Sequence, residues 1–132
     1  MRLVILESPF AAPTPEGVGH HIAYARACLR DCIQRGEAPF ASHLLYTQPG
    51  VLRDTVPEER ALGMKAGLAW GPVAHATVVY TDCGVSVGMK AGISRAEKEG
   101  RPVEFRTLGQ PWGMSGESSA APRHEPLRTE QA

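Results

Sequence analysis

With 132 residues, and 14 Lys and Arg balanced by 14 Asp and Glu, the chain is sized for one domain with a modest core and carries no net charge. That balance argues against the basic stripe of a duplex nucleic-acid reader, so no duplex partner is expected. No apolar run approaches the roughly 20 residues that cross a bilayer. Three cysteines at no framework spacing fit a reducing compartment, so a cytoplasmic protein without membrane contact is expected.

The segment Met1–Leu6 is too short for a secretory h-region and is followed at once by Glu7, so it reads as a first strand. Its continuous apolar run, Leu3 to Leu6, suits a parallel strand covered on both faces. Glu7-Ser8-Pro9-Phe10 ends it, because Pro9 cannot continue a central strand and holds Ser8 extended. After the loop Ala11–Pro15, a helix is predicted from Glu16 or Gly17 to Arg35, with Ile22, Ala25, Leu29 and Ile33 at helical spacing and Gly36 as its stop. Cys28 and Cys32 lie four apart and share one face of that helix. With His20 and His21 they match no standard zinc spacing, so they read as buried thiols, and neither a metal nor a cofactor is expected. A second strand, Ala38–Ala41, contains Pro39, which places it at an edge or delays its start.

Ser42 to Val56 reads as a long irregular connection with a turn at Gln48-Pro49-Gly50, a length usual for functional or mobile loops. Thr55, Pro57, Glu58 and Glu59 form a helix opening, with Thr55 as the cap, and the helix runs to about Trp70 before Gly71-Pro72 stops it. Ala76–Tyr80 is a third strand, Val87–Glu99 a helix ending at Gly100, and Pro102–Phe105 a fourth strand. Gly63-Met64-Lys65-Ala66-Gly67-Leu68 echoes Gly88-Met89-Lys90-Ala91-Gly92-Ile93, which is either coincidence or two helices solving one problem of close backbone approach. The predicted domain ends near residue 108, and Gly109–Ala132 reads as a flexible Gly/Pro/Ser-rich tail, with Trp112 able to dock on the body or on a neighbour.

The order β-α-β-α-β-α-β predicts a Rossmann-like three-layer α/β sandwich with a parallel sheet of about four to five strands in the order 2-1-3-4. Ligands in such sheets bind where the strand order reverses, which here sets Ser8-Pro9-Phe10 beside the Asp82–Gly88 loop. A helix N-terminus follows that loop, and its unpartnered N–H groups favour an anion. These two loops offer Ser8, Pro9, Phe10, Asp82, Ser86 and Gly88 as candidate ligand-binding residues, and Tyr24, His43 and Met89 are counted with them. Bland readings stand beside these. Ser86 also serves as a helix cap, Ser8 as a strand end and Asp82 as a turn residue. Tyr24 either packs against the first loop or reaches the ligand. Arg60 either meets an anionic ligand or pairs with Asp54. His43 is a base, a ligand contact or, as the more ordinary reading, a partly buried structural residue.

Ser8-Pro9-Phe10, Ile22-Ala23-Tyr24-Ala25, Pro39 through Leu45, Glu59 through Gly63, and Ser86 through Ala91 together resemble a family of small uncharacterised domains, many of them phage or actinobacterial. That family is related to the nucleoside 2-deoxyribosyltransferases and nucleotide N-glycosidases, and the resemblance runs from Arg2 to Phe105. It implies a nucleoside or nucleoside monophosphate as ligand, N-glycosidic hydrolysis or base transfer as activity, and a homo-oligomer, for which Tyr46 and Trp70 are candidate interface aromatics. In the enzymes a Glu four residues past a loop glycine attacks the anomeric carbon. With Gly88 as that glycine, the Glu position falls on Gly92, and a helping Asp falls near Gly67. Glycosyl transfer needs an acidic pair. Asp82 and His43 are the catalytic candidates left, with Glu7 and Glu59 as further carboxylates. Two other readings stay open: a silent nucleotide-binding or sensing module, and an interaction protein with a vestigial pocket.

Overall fold

The computed structural model describes residues 1–112, so the expected tail from Gly109 lies outside the described residues except for its first four. The elements follow as β1 (Arg2–Glu7), α1 (Pro15–Gln34), β2 (Glu37–Phe40), α2 (Ser42–Leu45), α3 (Pro57–Ala69), a 3-10 turn (Gly71–Val73), β3 (Ala76–Tyr80), α4 (Val87–Lys98) and β4 (Val103–Arg106). All pairings are parallel, and the strand order is β2-β1-β3-β4. This is the predicted Rossmann-like order. β1 sits between β2 and β3, with Val4 opposite both Pro39 and Ala76. Pro39 lies within β2, which is an edge strand, where its missing N–H costs no ladder bond on the outer side.

Alternation along the strands sorts their side chains between two faces. Val4, Leu6, Val78 and Tyr80 face α1 and form the core with Tyr24, Cys28 and Cys32. Both thiols are fully buried there, as expected of small residues on the sheet-facing side of a helix. The opposite set, Ile5 and Glu7 of β1, faces α3 and α4 and lines a cleft between them. Every residue of β3 is buried, which fits a central strand covered on both sides.

Helix boundaries follow local chemistry. Thr14 caps α1 by accepting from the Gly17 N–H at 3.1 Å, and Pro15 begins the helix, so it starts a residue before the predicted opening. Gly36 follows with φ of 79°, the left-handed conformation that ends a helix. Two local expectations change. The connection from Ser42 is not wholly irregular: Ser42–Leu45 form the single turn of α2. Val56, not Thr55, is the N-cap of α3, and no side chain caps it. Trp112 docks on the chain's own body: it is 7% exposed, and its ring lies 5.3 Å from Tyr24 and 5.7 Å from His20, centroid to centroid. The described residues contain no helix long and apolar enough to cross a membrane.

Candidate functional site

A cleft of about 260 Å³ opens at the carboxyl ends of β1 and β3, walled by α2, α3 and α4. This is the predicted switch point. Ser8, Phe10, His43, Ser86, Gly88 and Met89 all line it. Pro9, Tyr24 and Asp82 are not among the lining residues. Tyr24 is fully buried under the sheet, and its hydroxyl donates to Asp82 at 2.6 Å. Both Asp82 oxygens also accept from the Leu108 N–H, at 3.1 and 3.0 Å. The Asp82 carboxylate is thus occupied in tying the end of β3 to α1 and to the segment after β4.

One end of the cleft suits an anion. Ser86 caps α4 by accepting from the Met89 N–H at 3.3 Å, and its own N–H donates to the Met89 sulfur at 3.3 Å. The earlier N–H groups of α4, at Val87 and Gly88, have no partner within the helix. The Arg60 guanidinium closes this end. Its Nη2 would lie 4.0 Å from a Cβ built on Gly88, and its Nη1 donates to Asp54 at 2.9 Å. The space over the helix end at Gly88 is therefore open, with no described protein group pressing on it.

His43 faces Ser8, with Nε2 2.7 Å from Oγ. Burial pushes its pKa down to about 4, so the ring is neutral at physiological pH and exchanges a neutral hydrogen bond with the serine. Thr47 donates to the His43 backbone oxygen at 2.6 Å, fixing the turn of α2 that carries the ring.

The carboxylates of the cleft differ sharply in their partners. Asp54 is paired with Arg60, and Glu59 is held by Arg53, whose Nε donates to it at 2.8 Å. The Glu7 carboxyl makes no hydrogen bond or ion pair to any described residue, and burial pushes its pKa up to about 8 against the pull of Arg101. Arg101 is itself spent: it donates to Thr77 Oγ1 at 3.0 Å and to the Gly71 carbonyl at 2.8 Å. The Glu7 carboxyl sits against α4 where Gly92 offers no side chain. A Cβ at position 92 would fall 2.5 Å from its carboxyl carbon. Gly67 is the counterpart on α3, where a Cβ would fall 2.6 Å from the Ser42 side chain. The second glycines of the two echoed hexapeptides, Gly67 and Gly92, thus each receive a side chain from another element.

Sequence reading put Glu7 only among further candidates. A signal was present: an acid at the carboxyl end of an otherwise apolar strand, in alternation with Ile5 and out of phase with Val4 and Leu6. Asp54 and Arg101 gave no such signal as lining residues.

Residues 2–106 match the model of a family described as a domain of unknown function, DUF7768. The chain belongs to that family. No curated protein matches it. Among solved structures, the fold is similar to that of a 2-deoxyribosyltransferase from the psychrotolerant bacterium Bacillus psychrosaccharolyticus, with a TM-score of 0.50 and 20% identity over 80% of this chain and 72% of that one. That protein is described as a biocatalyst for nucleoside synthesis. At this identity the likeness is one of fold, and it agrees with the deoxyribosyltransferase-like architecture expected from the sequence.

Proposed function

We propose that the cleft binds a nucleoside or nucleoside monophosphate and that the protein breaks its N-glycosidic bond, by hydrolysis or base transfer. The observation that carries this reading is the gathering of Ser8, His43, Ser86, Gly88 and Arg60 around one cleft at the switch point of a deoxyribosyltransferase-like sheet. The α4 N-terminus and Arg60 suit the phosphate. Ser8, held by neutral His43, offers its hydroxyl to the sugar or base. Apolar Phe10, Leu68 and Met64 supply a surface for the ring. Self-association belongs to the same reading. Trp70 is 50% and Val73 60% exposed, a surface that a second copy would cover and that a sedimentation experiment would reveal.

The test is direct. The purified chain is incubated with deoxynucleosides and deoxynucleoside monophosphates, free base is followed by chromatography, and binding is followed by calorimetry. Base release with saturable binding is the expected result. Binding without release would leave a nucleotide-binding module, and no binding would remove the reading. Arg60→Ala is expected to weaken the monophosphates about tenfold while leaving the unphosphorylated nucleosides little changed, since it removes a charge-assisted contact of about 1.5 kcal/mol or more.

A further inference from the structure

We infer that Glu7 is the catalytic acid of this cleft: its carboxyl group, delivered from the end of β1 into the space left by Gly92, protonates the leaving base. The inference rests on the proposed N-glycosidic chemistry and assigns the group that performs it.

Position is the first argument. Alternation along β1 turns Glu7 to the cleft face with Ile5, and the parallel pairing with β3 fixes its height at the carboxyl end of the sheet. Its carboxyl lies over the α4 backbone at Gly92, a turn below the helix end that faces Arg60. Any side chain at position 92 would displace it. Gly92 therefore acts as a socket for the acid.

Availability is the second. The other cleft carboxylates, Asp54 and Glu59, are engaged by Arg60 and Arg53. Asp82 is engaged by Tyr24 and Leu108. Glu7 alone among these four is without a hydrogen-bond partner among the described residues. Glu7 is half-buried at the wall of the cleft, so its carboxyl is the one of these acids left open to a ligand that enters it. The charged and titratable groups that line the cleft with it are Arg101 before β4, His43 of α2, Tyr46, the Arg60–Asp54 pair, and Glu59 with its partner Arg53. Arg101 is the nearest source of charge that favours ionisation, and burial outweighs it. At neutral pH Glu7 therefore holds its proton, as an acid catalyst must.

The bond between the anomeric carbon and the base nitrogen breaks, and its electron pair leaves with the base. The base takes the Glu7 proton. The oxygen of a water molecule bonds to the anomeric carbon, and one of its protons restores the Glu7 carboxyl. The products are free base and free sugar, or sugar phosphate.

The test compares the wild type with Glu7→Gln, which keeps the shape and neutrality of the protonated side chain and so should fold. Expected are a fall in kcat for base release of about a hundredfold or more, an unchanged Kd for deoxynucleoside monophosphates by calorimetry, and a wild-type rate that declines as pH passes about 8. Gly92→Ala is the second variant. Its methyl group pushes aside the flexible end of Glu7, and a similar fall in kcat is expected with little loss of stability. Base release by Glu7→Gln at the wild-type rate overturns the inference and leaves the proposed function standing. No base release by the wild type overturns both.

Discussion

At the scale of single residues, what separates the acids of this chain is the company each keeps. Asp82 stands in the loop where a ligand-binding carboxylate was expected, yet the Tyr24 hydroxyl and the Leu108 N–H saturate it. Tyr24 also accepts from the Asp82 N–H at 2.9 Å, so the phenol closes a two-way bridge between α1 and the β3 end. Asp82→Ala would take the acceptor from the Tyr24 O–H and the Leu108 N–H together. A loss of about 1–3 kcal/mol is expected in urea unfolding, because removing one partner costs the desolvation of the other. If stability instead held and nucleotide binding fell, the carboxylate would belong to the ligand. Glu7 shows the opposite balance: its carboxyl has room at Gly92 and no hydrogen-bond partner among the described residues, which is the condition for a group that waits for a substrate.

At the scale of elements, the cleft depends on how closely α2, α3 and α4 approach their neighbours. Gly67 lets α3 lie against Ser42 of α2, and α2 carries His43 into the cleft. A methyl at 67 would meet the Ser42 Cβ, which is fixed to its backbone and cannot swing away. Gly67→Ala is therefore expected to force α2 from α3 and to cost about 1–3 kcal/mol, the usual range for overpacking. Gly19 is the control. It lies on an exposed part of α1 with nothing within 4 Å of a built Cβ. Gly19→Ala should raise stability by about 0.5–1 kcal/mol through helix propensity alone. Measured together by denaturant midpoints, the two substitutions separate contact from propensity. A gain at both positions would mean that α2 and α3 are not in tight contact.

At the scale of the whole molecule, the sheet was legible because parallel crossovers admit few orders, and β3 was legible to the residue because polar His75 and Thr81-Asp82 flank its run. The cleft's place followed from the strand order. Its chemistry did not. The link between Tyr24 and Asp82 spans 58 residues, and α2 is one turn without a period to detect. The seating of Glu7 over Gly92 depends on which way β1 faces and on the height of α4, neither of which leaves a local pattern. That seating has a consequence for stability as a whole. Glu7 titrates near 4.5 when unfolded and at about 8 when folded, so the folded state holds an extra proton between those values and loses stability as pH rises through them. His43 titrates near 6.5 unfolded and at about 4 folded, so the unfolded state holds the extra proton and stability rises with pH in that window. Between 4.5 and 6.5 the two slopes oppose and nearly cancel. From 6.5 to about 8 Glu7 acts alone, and a fall of roughly 2 kcal/mol is expected. The ion-paired Glu37 and Glu104 are shifted the other way and act below this range. Urea unfolding of Glu7→Gln across the same span should lose the fall above 6.5 and uncover the His43 rise below it. An identical decline in wild type and variant would show that the Glu7 carboxyl is already ionised in the folded chain.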